Sequence, residues 1–328
     1  MTPSRSSQGL DAAIAAFVGH QRDLGRRYYG EEGVLRDLRG FVVAQQAADL
    51  TAELFERWCR AQHALSPNTV YSRQLLVRKF CLFRRRHEPT CFVPDPAGFT
   101  RRRPYRRAVI VTRTQIGRML RAASHLRPSV HSPMRPAVMR MALVLLYSAG
   151  LRRGEVLRLI LPDVDHRAGI LRIRESKFHK SRWVPLSADA CRELRRYLRV
   201  RRRHSVPFDA PLLCNRSRGY GYAGWHGFSG EVLTAGIREL FARASVRDAE
   251  GRRPRLHDLR HSFAVGALRQ HYHTGDDVQT FLPKLALYMG HVSIVSTAHY
   301  LQFIPDIAHH ASERFRQHFA CVITPQSP

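Results

Sequence analysis

The sequence predicts a mainly α protein with one small β-sheet, built as a helical N-terminal domain followed by a larger helical domain that carries the sheet. Three observations predict it. Apolar residues recur at helical spacing through residues 11–90; a Pro- and Arg-rich stretch then interrupts that pattern; and only two short segments, Ile170–Arg174 and Arg182–Leu186, alternate like strands. A chain of 328 residues leaves room for about two domains.

The elements follow in order. Leu50, Leu54, Phe55 and Trp58 share one helical face, and Leu75, Leu76, Lys79, Phe80 and Phe83 another. Ser66-Pro67-Asn68-Thr69 reads as a helix start with Pro67 near the first helical position. Pro89, Pro94, Pro96, Gly98 and Pro104 mark a linker that runs into Arg101-Arg102-Arg103-Pro104-Tyr105-Arg106-Arg107. The expected division is therefore a helical domain over 1–95, a basic linker over 96–108 and a second domain over 109–328. In that second domain Thr112–Ala123 reads as a capped helix and Pro136–Ser148 as a buried one. The two strands flank a turn at Glu175–Ser181 and form a hairpin. Ala188–Arg203 is helical and very basic, and helices resume at Val232, Leu259 and Lys284.

The charge narrows the partners. Lys and Arg number 54 against 26 Asp and Glu, a formal net charge of +28, so a polyanion is the expected partner. Residues 1–108 hold 19 cations and 10 anions, a net of +9, and the remainder holds 35 and 16, a net of +19, so both domains are basic. The six cysteines are scattered without a Cys-x-x-Cys pair, which argues against a zinc site or a disulfide framework. No apolar run reaches about 18 residues, and Met1–Leu10 lacks an apolar signal core. The expectation is a cytoplasmic, nucleoid-associated protein with no membrane partner.

Four separated segments hold the polar residues of interest. Gly150-Leu151-Arg152-Arg153-Gly154-Glu155 places Arg152 near a helix start, where its fork of donors and free backbone N–H groups suit a phosphate; an Arg and a Glu three apart are otherwise an ordinary surface pair. The hairpin turn carries Lys177 and Lys180. Only two other lysines occur in the chain, Lys79 and Lys284, while 50 basic positions are arginine. Arginine does not release its proton at ordinary pH, whereas lysine can serve as an acid or base, so at least one of these two lysines is assigned proton transfer. His257 and Arg260, three apart on a helix, project to one face, with Leu259 and Phe263 toward the core. Gly290-His291 is a turn before a helix that delivers Tyr300 nine residues later. Either of these last two segments alone could be ordinary helix surface.

Taken in order, this set resembles the active-site signature of the tyrosine recombinases, the phage integrases and their kin. The resemblance covers residues 109–310 in detail and 11–95 only in outline, as the family's helical core-binding domain preceding its catalytic domain. It implies a site-specific DNA recombinase or integrase that forms a 3′-phosphotyrosine link, with Tyr300 as nucleophile. Arg152 and Arg260 would grip the scissile phosphate, His257 and His291 would add hydrogen bonds and help move protons, and Lys177 would protonate the leaving 5′-oxygen. Glu155 would support the site from behind. Ser176 and Phe178 stand where the family usually has glycines, which leaves Lys180 as the alternative acid, although position favours Lys177. The stretch from Arg260 to His291 is longer than usual, with the extra residues placed in His271–Pro283.

The chemistry so implied needs neither metal nor ATP. Arginines supply the charge stabilisation, a covalent intermediate conserves the phosphodiester energy, and the sequence has neither a paired acidic cluster beside the motifs nor a Gly-x-x-x-x-Gly-Lys loop. A type IB-like topoisomerase shares much of this chemistry, and a non-catalytic regulator of the same fold would bind without cutting. The filled polar set speaks against the regulator, and the basic helical domain ahead of the catalytic one favours a recombinase. The expected partners are double-stranded DNA carrying a recombination site and, in the synaptic complex, further copies of the chain as a tetramer. Ile304, Ile307, Ala308, Ala311, Phe315 and Phe319 form an apolar helical stripe that would pack on its own domain or dock on a neighbouring copy.

Overall fold

A computed structural model describes residues 5–104, 106–174, 181–217, 224–274, 278–291 and 293–303. The chain divides into two compact units, Met1–Arg106 and Arg107–Pro328. Lys177 and Lys180, Gly275-Asp276-Asp277 and the stripe from Ile304 onward lie outside the described residues.

Among the described residues the first unit has four α-helices, α1 (Arg5–Asp23), α2 (Tyr29–Ala44), α3 (Ala52–Ala61) and α4 (Pro67–Arg84), and a short 3-10 helix at Pro96–Gly98. Side chains set two of the starts: Thr51 accepts from the Leu54 N–H at 3.3 Å, and Ser66 from the Thr69 N–H at 3.2 Å with Pro67 at the first helical position. Phe17, Leu35, Leu38, Trp58, Val77 and Phe80 form the core, and Phe99 from the proline-rich stretch packs onto it. The register of α4 differs from the simple apolar reading. Leu75 is exposed, and the buried face instead includes Gln74 and Arg84. Both polar groups are answered: Gln74 accepts from the Thr100 N–H at 2.9 Å, and Arg84 forks onto Asp49 at 2.8 and 2.9 Å.

The second unit opens with α5 (Arg113–Ser124), started by a reciprocal capping box between Thr112 and Gln115. Helix α6 (Arg135–Ser148) is apolar nearly all round and buries Val138, Met139 and every residue from Met141 to Leu146, so it lies inside the unit. There follow α7 (Arg153–Arg158), then β1 (Val164–Asp165), β2 (Ile170–Ile173) and β3 (Arg182–Pro185) as an antiparallel sheet in that order, with Leu171 opposite Val184. Helix α8 (Ala188–Arg203) packs on α6. A second, two-stranded sheet of β4 (Cys214–Ser217) and β5 (Gly224–Gly227) precedes α9 (Gly230–Arg243). Its strands lack alternation, which is why the sequence did not show it.

Helices α10 (Asp258–His273), α11 (Val278–Met289) and α12 (Val295–Ala298), with a 3-10 turn at His299–Phe303, complete the described residues. Helix α11 begins six residues before the expected start at Lys284, with Pro283 inside it. Proline removes one backbone donor, but Leu282, Leu285 and Met289 bury a face against Ala264, Val265 and Leu268 of α10, which offsets the lost bond. No helix among the described residues is long and apolar enough to cross a membrane.

Candidate active site

Two helix C-termini build the site. Helix α6 ends just before Gly150 (φ +59°), and α11 ends at Gly290 (φ +67°). At α11 the Gly290 N–H donates to the Leu287 carbonyl at 3.0 Å and the His291 N–H to Ala286 at 2.9 Å, the Schellman pattern that a left-handed glycine permits. The carbonyls of Gly150, Met289 and Gly290 remain to accept from side chains, at the negative ends of the helix dipoles.

The two predicted arginines take them. Arg152 stands at the N-cap of α7 and donates from Nη2 to the Gly290 carbonyl at 2.9 Å and from Nη1 to Met289 at 3.3 Å. Arg260, 2% exposed, donates from Nη2 to the same Met289 carbonyl at 2.6 Å and from Nη1 to Gly150. Burial, then the nearby Arg152 charge, lowers its pKa to about 10.

Glu155 is not a surface partner of Arg152. It is buried, accepts from the Arg152 N–H at 3.0 Å and Nη1 at 2.9 Å, and accepts a two-pronged bond from Arg182 at 2.9 Å on each oxygen. Burial alone would raise its pKa, but the Arg182 bonds and charge, with those of Arg152, hold it down at about 2. Arg182 also donates from Nε to the Tyr288 carbonyl at 2.7 Å, so one guanidinium ties β3, α7 and α11 together. Gly290 allows this approach: a Cβ there would lie 2.9 Å from an Arg182 nitrogen.

The histidines and the tyrosine adjoin the arginines. His291 follows Gly290; one ring nitrogen pairs with the buried Thr297 hydroxyl at 2.7 Å, and its ring stacks on Tyr300 with centroids 6.1 Å apart. Burial and then Arg260 and Arg152 push its pKa down to about 4. His257 precedes α10, and its pKa is also lowered, by burial and then by Arg260. Tyr300 is buried in the 3-10 turn, 3% exposed, among His291, His299 and His261. Gly150 sets where α10 can lie, since a Cβ on it would meet the Phe263 ring at 2.4 Å.

Thus Arg152, Glu155, His257, Arg260, His291 and Tyr300, drawn from three of the four segments, meet in one place. The sequence reading did not assign Arg182, His261 or Thr297 to it. Arg182 had a signal, since it closely follows the lysine pair in sequence and begins β3. Thr297 had none, being one hydroxyl in a short helix. Chemically the cluster is a set of cationic donors around one carboxylate, with uncharged imidazoles and a phenol beside them. That combination suits a phosphodiester under nucleophilic attack.

The proteins to which this chain is similar are integrases and recombinases. The sequence model of the phage integrase family matches residues 110–304. The protein y4rB of Sinorhizobium fredii, an integrase/recombinase homologue, is 33% identical over 309 residues, spanning 93% of this chain and 96% of y4rB. The tyrosine recombinase XerD of Xanthomonas axonopodis pv. citri is 30% identical over 305 residues, spanning 84% of this chain and 89% of XerD. In fold, the chain resembles the Tn1549 transposon integrase in complex with transposon right end DNA. The TM-score is 0.58 at 14% identity, covering 89% of this chain and 94% of that one. The chain belongs to the phage integrase family and is a site-specific tyrosine recombinase.

Proposed function

We propose that this recombinase cuts and rejoins double-stranded DNA at a specific site through a 3′-phosphotyrosine at Tyr300, with no metal or nucleotide cofactor. The observation that carries the reading is the convergence of Arg152 and Arg260 on the carbonyls that end α11, beside a histidine whose ring lies against Tyr300. A phosphate placed there meets two guanidiniums fixed before it arrives, which is how charge building on its non-bridging oxygens is stabilised.

In this reading the Tyr300 oxygen attacks phosphorus as the bond to the 5′-oxygen breaks. The phenol proton passes to one of the two site histidines, His257 or His291, both held uncharged by burial and by the arginines. Lys177, the preferred member of the lysine pair, protonates the departing 5′-oxygen. The phosphotyrosine retains the energy of the broken bond, so rejoining needs no ATP. Exchange of four strands calls for four nucleophiles, so the working assembly is a tetramer on two DNA sites. The basic unit 1–106 supplies further contacts to phosphates.

The test uses DNA flanking the gene, nicked so that cleavage cannot reverse. Wild-type protein forms a covalent adduct; Tyr300→Phe binds the same DNA and forms none. An adduct at a different tyrosine in that variant overturns the assignment, and sequencing the attached strand identifies the site.

A further inference from the structure

His261 follows Arg260 on α10 and has no part in the reaction as described. It is 6% exposed, yet neither ring nitrogen has a hydrogen-bond partner among the described residues. An unpaired buried polar group is destabilising, and a phenylalanine would fill the same space without that cost. The ring is not remote from the chemistry. It stands edge-on to Tyr300 with centroids 5.4 Å apart and planes at 64°, and edge-on to His257 at 4.7 Å and 86°. Burial and then the neighbouring His257 push its pKa down to about 4; Arg255 and His299 act in the same direction and Asp258 against it. At neutral pH the imidazole is therefore uncharged, with one N–H donor and one free acceptor.

We propose that His261 is a positioning residue for Tyr300: it holds the tyrosine ring edge-on, and its acceptor nitrogen takes the phenol hydrogen bond while Tyr300 turns toward the scissile phosphorus, before that proton passes to His257 or His291. This rests on Tyr300 being the nucleophile. Tyr300 is buried, so the ring must turn to reach a duplex, and its oxygen must arrive in line with the leaving oxygen. An acceptor beside the phenol selects one approach. Misplacing a reacting atom by about 1 Å costs on the order of 10²-fold in rate.

Single-turnover adduct formation on the nicked DNA tests it in the full-length protein. His261→Phe should melt at or above the wild-type temperature, bind DNA with unchanged affinity and form adduct about 10²-fold more slowly. His261→Gln, whose amide oxygen restores an acceptor, should recover part of that rate. Wild-type cleavage by His261→Phe, or no gain in His261→Gln over it, overturns the proposal. So does a His261→Phe protein that loses stability in step with its rate, since that is the signature of packing alone. Tyr300→Phe run alongside separates the two readings. An adduct in that variant condemns the nucleophile assignment, whereas no adduct there with full-rate cleavage by His261→Phe condemns only the role given to His261.

Discussion

Arg182 grips Glu155 by both carboxylate oxygens, each 2.9 Å from a guanidinium nitrogen, and the same carboxylate receives the main chain and side chain of Arg152. Glu155 is thus the joint between strand β3 and the arginine assigned to the phosphate. The pair is buried on both sides, with side chains 9% and 1% exposed, so neither charge is left to water.

Arg182→Met should therefore do more than remove a cation. It strands Glu155 without its principal partner, a change that costs about 3–5 kcal/mol for a buried pair, and it should lower both the melting temperature and the rate of adduct formation. Arg182→Lys keeps the charge but not the fork. It should retain more stability and still cleave slowly, because Glu155 would no longer be held against Arg152. Wild-type cleavage by Arg182→Lys would show that charge alone suffices.

The lysine assignment can be read kinetically. Lys177→Arg keeps a cation but loses the transferable proton, and cleavage should slow by about 10²-fold or more. A 5′-thio leaving group needs no protonation and should restore much of that loss. Lys180→Arg should leave the ordinary substrate nearly unaffected. If Lys180→Arg is the variant that slows and is rescued, the acid is Lys180.

Stability should depend on pH in two windows. His261 and His291 are held down to about 4 and His257 is lowered as well, each by burial first. As pH falls below the unfolded histidine value of about 6.5, the unfolded chain takes up protons that the folded one refuses, and stability declines until about pH 4. Buried His261 alone accounts for on the order of 3 kcal/mol across that window. Glu155, held at about 2, adds a second loss as pH falls below the usual glutamate range. Denaturant titrations from pH 7.5 to 4 should show the first decline, and His261→Phe should flatten part of it. A pH-independent midpoint over that range would contradict the buried, neutral histidines.

The helices of both units were legible in the sequence wherever one face is apolar and a Ser or Thr precedes it, as at Ser66-Pro67 and Thr112. Local propensity and side-chain capping act over a few residues and can be read off the chain. The start of α11 was not legible, because Pro283 is a local stop signal that packing against α10 overrules. The small sheet of β4 and β5 was hidden for the complementary reason, since its strands carry no alternation.

By itself the sequence determined the family, from an ordered set of arginines, histidines, lysine and tyrosine, and it determined the basic character of both units. It also named six of the residues that the structure gathers: Arg152, Glu155, His257, Arg260, His291 and Tyr300. Only the tertiary structure decided how they are held. That Glu155 is buried and owned chiefly by Arg182, 27 residues away, that two glycine-ended helices offer their carbonyls to the two arginines, and that His261 lies edge-on to Tyr300 are contacts between distant segments. They depend on burial and on the direction of side chains in space, and neither quantity is written in the spacing of residues along the chain.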